Sequence, residues 1–410
     1  MQLKVDLVIR EHAYLAALMI TVIERTLLKG IDWQDAFLPL VGMGTLLLDA
    51  LVILLLMVSF LWDVRTHRSL FHLMVLLVLG LLAVSAVITR ETGLIYSAAF
   101  ILLARNIPYA RIIRVFYRTA LCALILLILA QVIGFTKRST MNLEYSLGYS
   151  MGMAHPNSFA SAVMVLLFSW AYLHRWQNRS ILILTVLAVS FLVYFYTISR
   201  TALVIALAYC LSLILYDLLN RFHARGAVKI IRLGFALLLA GSVWLMLNSE
   251  MVFERLGMQN DSDISALLSA LNRFVNASAL YEQKGLHLFG SFIEFRSLRT
   301  ALLTNQEAVI LDSAYLYLVI SQGVVATVIM FWLFARSMQV QVQKKQYVLL
   351  ITMGVFLLSA LMERFALDAA MNFTLLSAFS ALEQDSSAPE ELPRRVRFIR
   401  RPRPVKKAEF

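Results

Sequence analysis

The sequence predicts an all-α, polytopic membrane protein, and three observations carry that expectation. Of its 410 residues, 60% are apolar and 15% charged, against about 45–50% and about 25% in soluble domains. The mean hydropathy is +0.76. The apolar residues gather in runs long enough to cross a bilayer, which takes roughly 20 residues. This composition excludes an ordinary soluble enzyme, a disordered chain, a coiled coil and a disulfide scaffold.

The runs give about 12 expected transmembrane helices. The first, 7–23, is interrupted by Arg10, Glu11 and His12. Next come 38–61 and 70–89, then a shorter run at 92–104 and a long one at 115–135. The run 157–174 opens just after Pro156, with Asn157 expected as its N-cap. Only Ser199-Arg200-Thr201 separates 181–198 from 202–219. The runs 230–247, 312–334, 346–362 and 366–382 complete the set. Cys122 and Cys210 sit inside apolar runs and behave as small core residues. The first ten residues lack a signal-peptide pattern, so the chain is expected to enter the membrane through its own spans.

Lys and Arg number 37 and Asp and Glu 25, a net charge of +12. In a membrane protein this excess collects in cytoplasmic loops, so it does not imply nucleic acid. With both termini cytoplasmic, Arg65, Arg105, Arg111, Arg175, Arg225, Arg336 and Lys344 all fall on the inner side. An even number of spans keeps the basic 384–410 segment inside as well. That segment is rich in Pro and Arg and is expected to be a disordered tail near anionic lipid. The expected organisation is a helical bundle over 1–383 with one large extracytoplasmic loop, 248–311. Within the loop, 264–280 has helical apolar spacing at Ile264, Leu267, Leu268, Leu271, Phe274 and Val275.

No nucleotide-binding loop and no metal-ligand spacing occurs in the sequence. The energy for any reaction must then come from an activated substrate or an ion gradient. The informative charges are those expected outside, where the positive-inside bias does not account for them. Arg200 sits in a helical hairpin, where its guanidinium fork suits phosphate oxygens and its alternative is snorkelling to headgroups. His155-Pro156-Asn157 opens a helix whose free N–H groups can receive an anion, although a lone histidine is more often structural. Arg273 lies on the loop helix beside Asn272 and Asn276. Asp312 opens a span, either as a first-turn carboxylate or as a base for a hydroxyl. Arg364 follows Glu363 at another outer junction, and His287 and Gly290 mark a loop turn near the same mouth. The intramembrane carboxylates are few, namely Asp49 with Asp368 and Glu24 near span ends, which weighs against an ion-coupled pump.

These residues resemble a family. Ala154-His155-Pro156-Asn157-Ser158-Phe159-Ala160, then Ser199-Arg200-Thr201-Ala202, then a large outer loop, is similar to the Wzy-type polysaccharide polymerases, which share a core with the O-antigen ligases. Asn272-Arg273-Phe274 followed by Leu288-Phe289-Gly290 resembles the family's loop motif. Leu311-Asp312-Ser313-Ala314-Tyr315-Leu316 with Gly323 resembles its entry into the next span. The resemblance covers 150–335. Ser313 stands where the family usually has Asn, and the tryptophan common after the loop arginine is missing.

The resemblance implies an enzyme of the bacterial cytoplasmic membrane, acting at its outer face without cofactor or metal. Its substrates would be undecaprenyl-diphosphate-linked oligosaccharides, and it would work among membrane lipid beside flippase and chain-length-regulator proteins. The growing chain would move from its lipid diphosphate to a sugar hydroxyl of another repeat unit. Arg200 and Arg273 would neutralise the leaving diphosphate, and Asp312 would act as base. His155, Asn157, Ser199, His287 and Arg364 would bind substrate, and Tyr315 would stack on a sugar ring. Two alternatives stay open: ligase-like transfer to another acceptor, and a lipid-linked glycan flippase or transporter. A transporter would show internal repeats and broken midplane helices.

Overall fold

The structure is a computed structural model describing residues 2–384 apart from 32, 34–36, 67–68, 137–139, 144–145, 176–177, 221–224, 250, 253–264, 297–308 and 310. The expected tail beyond 384 therefore lies outside the described residues.

Helix α1 (Gln2–Ile23) runs directly into a π-helical turn, Glu24–Leu28. It carries the charges that interrupt the first apolar run, and each one finds a partner. Arg10 Nη1 lies 3.0 Å from Asp63 Oδ1, and both side chains are at most 3% exposed. The other Asp63 oxygen lies 2.9 Å from His72 Nε2. Arg10 also donates to the Arg105 carbonyl, and Glu11 pairs with Arg111. Buried charges persist only when paired in this way.

The chain continues through α2 (Leu38–Thr66), α3 (Leu70–Thr89), α4 (Gly93–Leu103) and α5 (Tyr109–Ile133). A short antiparallel hairpin, β1 (Thr140–Leu143) and β2 (Ser146–Tyr149), occupies a stretch where the hydropathy pattern predicts no element. Then follow α6 (Pro156–Leu173), α7 (Arg179–Thr197), α8 (Arg200–Asn220) and α9 (Arg225–Leu247). Helix α10 (Ser265–Lys284) lies in the expected loop and turns Phe274, Ala277 and Leu280 inward at helical spacing. Helix α11 (Ala314–Gln343) contains a π-helical section, Tyr317–Gln322, and α12 (Tyr347–Ser359) follows.

Among the described residues, seven helices are long and apolar enough to cross a membrane: α2, α3, α5, α6, α7, α8 and α11. Their outward faces carry large apolar side chains, with Leu70, Val87, Val132 and Phe195 each more than 70% exposed. Such a belt would drive aggregation in water and suits a lipid environment.

The expectation of about 12 spanning helices needs correction at three runs. Helices α4 and α12 have 11 and 13 residues, or roughly 17–20 Å at 1.5 Å per residue, against a hydrocarbon core of about 30 Å. The run 366–382 is no spanning helix at all. It forms two 3-10 turns, Arg364–Leu367 and Phe373–Ala378, sunk into the core. Its hydropathy is that of a span because it is buried, yet its backbone is irregular because its neighbours satisfy it. Ser337 Oγ and Gln341 Nε2 of α11 donate to the Thr374 carbonyl at 2.8 and 3.2 Å. Asn372 Nδ2 donates to the Ala366 carbonyl at 2.8 Å. Farther on, the Ala381 amide donates to Ile107 and the Tyr109 amide to Ala381. Non-helical backbone at membrane depth is tolerated where protein encloses it in this manner. Phe373 fills the centre, packed on Phe116 and Phe356, while Phe168 joins Phe356 to Tyr209.

Candidate functional site

The α7–α8 junction is tight and strained. Ile198 adopts φ 55°, the left-handed region, which a β-branched residue rarely enters. Such strain costs about 1–3 kcal/mol and persists only where the surroundings enforce it. Ser199 is buried, and its Oγ accepts from the Ala202 amide at 3.5 Å, capping α8. Arg200, the first residue of α8, is exposed. A cation there opposes the helix dipole, which favours anions at this end. The guanidinium and the amide end of α8 carry the same sign of charge, the arrangement that receives an anion.

Helix α6 begins beside that junction. Its N-cap is His155 rather than the expected Asn157, because Pro156 takes the first helical position and His155 Nδ1 accepts from the Asn157 amide at 3.1 Å. This bond also sets which ring nitrogen carries the proton in the neutral state. Gly148 of the hairpin links the junction to the start of α6. A Cβ at Gly148 would lie 2.8 Å from the Thr197 carbonyl oxygen and 3.5 Å from Pro156 Cγ. The hairpin therefore packs against both the end of α7 and the first turn of α6, which makes these two neighbours.

A second group forms where the chain after α10 crosses the start of α11. The Val324 and Val325 amides donate to the His287 and Leu288 carbonyls, and the Ser291 amide to Ser321. Gly290 and Gly323 meet there backbone to backbone, both with positive φ (82° and 86°). Arg90 stacks over Phe292, and Arg364 lies over Phe295 and Tyr317 at 4.9 and 5.2 Å. The His287 ring is exposed, with Nε2 2.6 Å from the Lys284 carbonyl. Asp312 is half-buried immediately before α11. Ala314 and Ser313 anchor it, both bonded to the Ala360 carbonyl. Tyr315 is 2% exposed and donates its hydroxyl to the Leu357 carbonyl at 2.6 Å. Its ring thus holds α11 against α12 and offers no open face for the sugar stacking expected of it.

Between these groups lies a half-open cleft of about 200 Å³. Arg25, Thr26 and Gly30 form one wall, Ser158 and Ser161 of α6 another, and Glu363, Phe365 and Met371 a third. Arg25 Nε is 3.1 Å from Asp368 Oδ2. Behind it, Lys29 Nζ lies 2.5 Å from Glu24 and 3.1 Å from Asp49. The Ala154 amide donates to the Gly30 carbonyl, so the cleft wall is continuous with the His155 turn.

No family model, curated protein or solved structure matches this chain. The functional reading therefore rests on the residues themselves.

Of the residues picked from the sequence, His155 and Asn157 open α6, and Ser199 and Arg200 lie at the neighbouring α7–α8 junction. Asp312, Arg364 and His287 belong to the second group, across the cleft. Arg273 is on α10 by its backbone, and its side chain lies outside the described residues. Sequence reasoning missed Arg25 and the serine pair of the cleft. A usable signal was present: Arg25, Lys29 and Arg90 are cations at the ends of apolar runs on the side expected to be extracytoplasmic, the same criterion that selects Arg200.

Proposed function

We propose that the chain is a membrane glycosyltransferase that polymerises undecaprenyl-diphosphate-linked oligosaccharide repeat units. It works at the outer face of the bacterial cytoplasmic membrane. The observation that carries this reading is Arg200, an exposed arginine at a helix N-terminus, set against the dipole at a junction that neighbours the start of α6. A diphosphate is the ligand such a pair of amide termini and a guanidinium fork suits best.

In this reading both termini lie inside, and an even number of crossings is made by the seven long helices together with other helices of the bundle. The basic residues of the short loops then face the cytoplasm.

The reaction needs one bond made and one broken. An acceptor hydroxyl oxygen attacks the anomeric carbon of the donor chain. The bond from that carbon to the lipid diphosphate breaks, and the diphosphate leaves with the electron pair. The hydroxyl proton passes to the Asp312 carboxylate. Arg200, with Arg273 on the loop helix, offsets the charge that develops on the leaving group. His155 and Asn157 hold the α6 terminus toward the same anion, and Arg364 and His287 line the acceptor side. The leaving group is already activated, so the reaction as written consumes no nucleotide.

Cells lacking the protein should accumulate single lipid-linked repeat units on the outer face and lose long polymer. Units trapped on the inner face would indicate a flippase instead, and long polymer left on its lipid would indicate a ligase. Arg200→Ala should reduce chain extension by about 10²-fold or more at unchanged membrane abundance. Arg200→Lys should recover little of it, because the charge returns without the fork. Wild-type polymer in Arg200→Ala cells would remove the phosphate role. Asp312→Asn should slow extension by about 10²–10⁴-fold, the range for a general base. Turnover within about twofold of wild type would show that Asp312 serves packing alone.

A further inference from the structure

The cleft between the α1 π-turn, the start of α6 and the 363–371 segment is built for a ligand of its own. Hydroxyls on apolar helices normally bond back to their own helix carbonyls. Thr21, Ser169, Ser190, Thr197 and Thr352 all do so here. The cleft hydroxyls depart from this. Thr26, Ser158 and Ser161 line the cavity, and none of the three side chains has a hydrogen-bond partner among the described residues. Thr26 and Ser161 are more than nine-tenths buried, at 7% and 8% exposure. Unpaired with protein yet open to the cavity, these hydroxyls are free to bond to whatever enters it.

The lining also states what the occupant is. Arg25 is neutralised by Asp368, and Glu363 adds a further carboxylate. The wall therefore carries no net positive charge, which disfavours a phosphate. The hydroxyls offer both donor and acceptor capacity. Met153, Phe365 and Met371 supply apolar surface beside them. At about 200 Å³ the cavity is below the roughly 300–1,000 Å³ of sites for drug-sized ligands, so it holds about one ring, with the rest of any chain outside its mouth. We infer that this cleft is a binding subsite for a single neutral sugar ring, with Thr26, Ser158 and Ser161 hydrogen-bonding its hydroxyls and Phe365 meeting its C–H face. The inference rests on the proposed function in one respect, that the ring belongs to a lipid-linked repeat unit.

The test uses the full chain in phospholipid nanodiscs free of glycosidic detergent, with an array of neutral mono- to tetrasaccharide glycosides and inorganic phosphate as probes. Wild type is expected to retain a subset of the glycosides, with no competition from phosphate. Ser161→Ala and Thr26→Val should each weaken that binding about 2- to 10-fold, the worth of one hydrogen bond. Ser161→Phe, which fills the cavity, should abolish it. Ser190→Ala, whose hydroxyl bonds back to Val186, should bind as wild type. Failure of the wild type to retain any glycoside would overturn the inference, as would unchanged binding in Ser161→Ala and Thr26→Val. Competition by phosphate would also overturn it. The same variants in cells separate the two readings. Glycoside binding lost in the variants, with normal polymer in cells lacking the protein, would sustain the subsite and remove the polymerase. Single repeat units accumulating in cells lacking the protein, with full polymer and glycoside binding in Ser161→Phe, would do the reverse.

Discussion

Gly290→Ala is expected to leave no folded protein in the membrane. A Cβ at this position would strike the Ser321 carbonyl oxygen and come within 2.7 Å of the Gln322 carbonyl carbon. The positive φ alone costs about 1–2 kcal/mol for a side-chain-bearing residue. The clash is with backbone, which has no rotamer to give way. Its partner Gly323 is equally closed, since a Cβ there would meet the Gly290 nitrogen and lie 2.7 Å from the His287 carbonyl oxygen. The loop would have to lift from α11, losing the amide bonds from Ser291, Val324 and Val325 together. The combined cost should exceed about 4 kcal/mol, the exceptional range for one substitution. Membrane abundance and monodispersity of the purified variant measure it. Wild-type yield with an unchanged elution profile would mean that the two glycines are not packed as described.

Asp63→Ala carries the second largest expected loss. Asp63 holds Arg10 through one oxygen and His72 through the other, at 3.0 and 2.9 Å. Removing it leaves Arg10 buried without a counter-ion. Breaking a buried pair on one side typically costs about 3–5 kcal/mol. The Tm of the purified protein should fall by several degrees. Replacing both partners, as in Arg10→Met with Asp63→Leu, should restore much of that loss because no charge remains to be buried. A Tm within about 1 °C of wild type for Asp63→Ala would remove the pair from the account of stability.

The long helices were legible because each is a run of apolar residues of bilayer length, and α3 begins and ends where its run does. The α10 helix was legible from its apolar spacing, and the Arg200 junction from its brevity. What hydropathy cannot distinguish is a lipid-facing helix from an irregular strand of backbone enclosed by protein. The run 366–382 is as apolar as a span, and only the positions of Ser337 and Gln341 on α11 show how its carbonyls are satisfied. The Arg10–Asp63–His72 group stayed hidden for a related reason. Its members come from three helices, and each taken singly reads as a loop or interrupting charge. The cleft has the same character, because Arg25, Ser161 and Glu363 meet only after folding. Gly290 and Gly323 were legible as residues of the motifs, while their mutual contact was not.

The enclosed 3-10 segment has a consequence for biogenesis. A helix can enter lipid alone, because its backbone bonds are internal. The 364–378 stretch cannot, since the Thr374 carbonyl depends on side chains of α11. It must leave the insertion machinery with α11 already in place, so this segment closes the bundle rather than extending it. The Phe116 and Phe356 rings that pack on Phe373 are then left facing an open slot until the segment arrives. The nascent bundle would remain splayed, and open to quality-control proteases, until it docks.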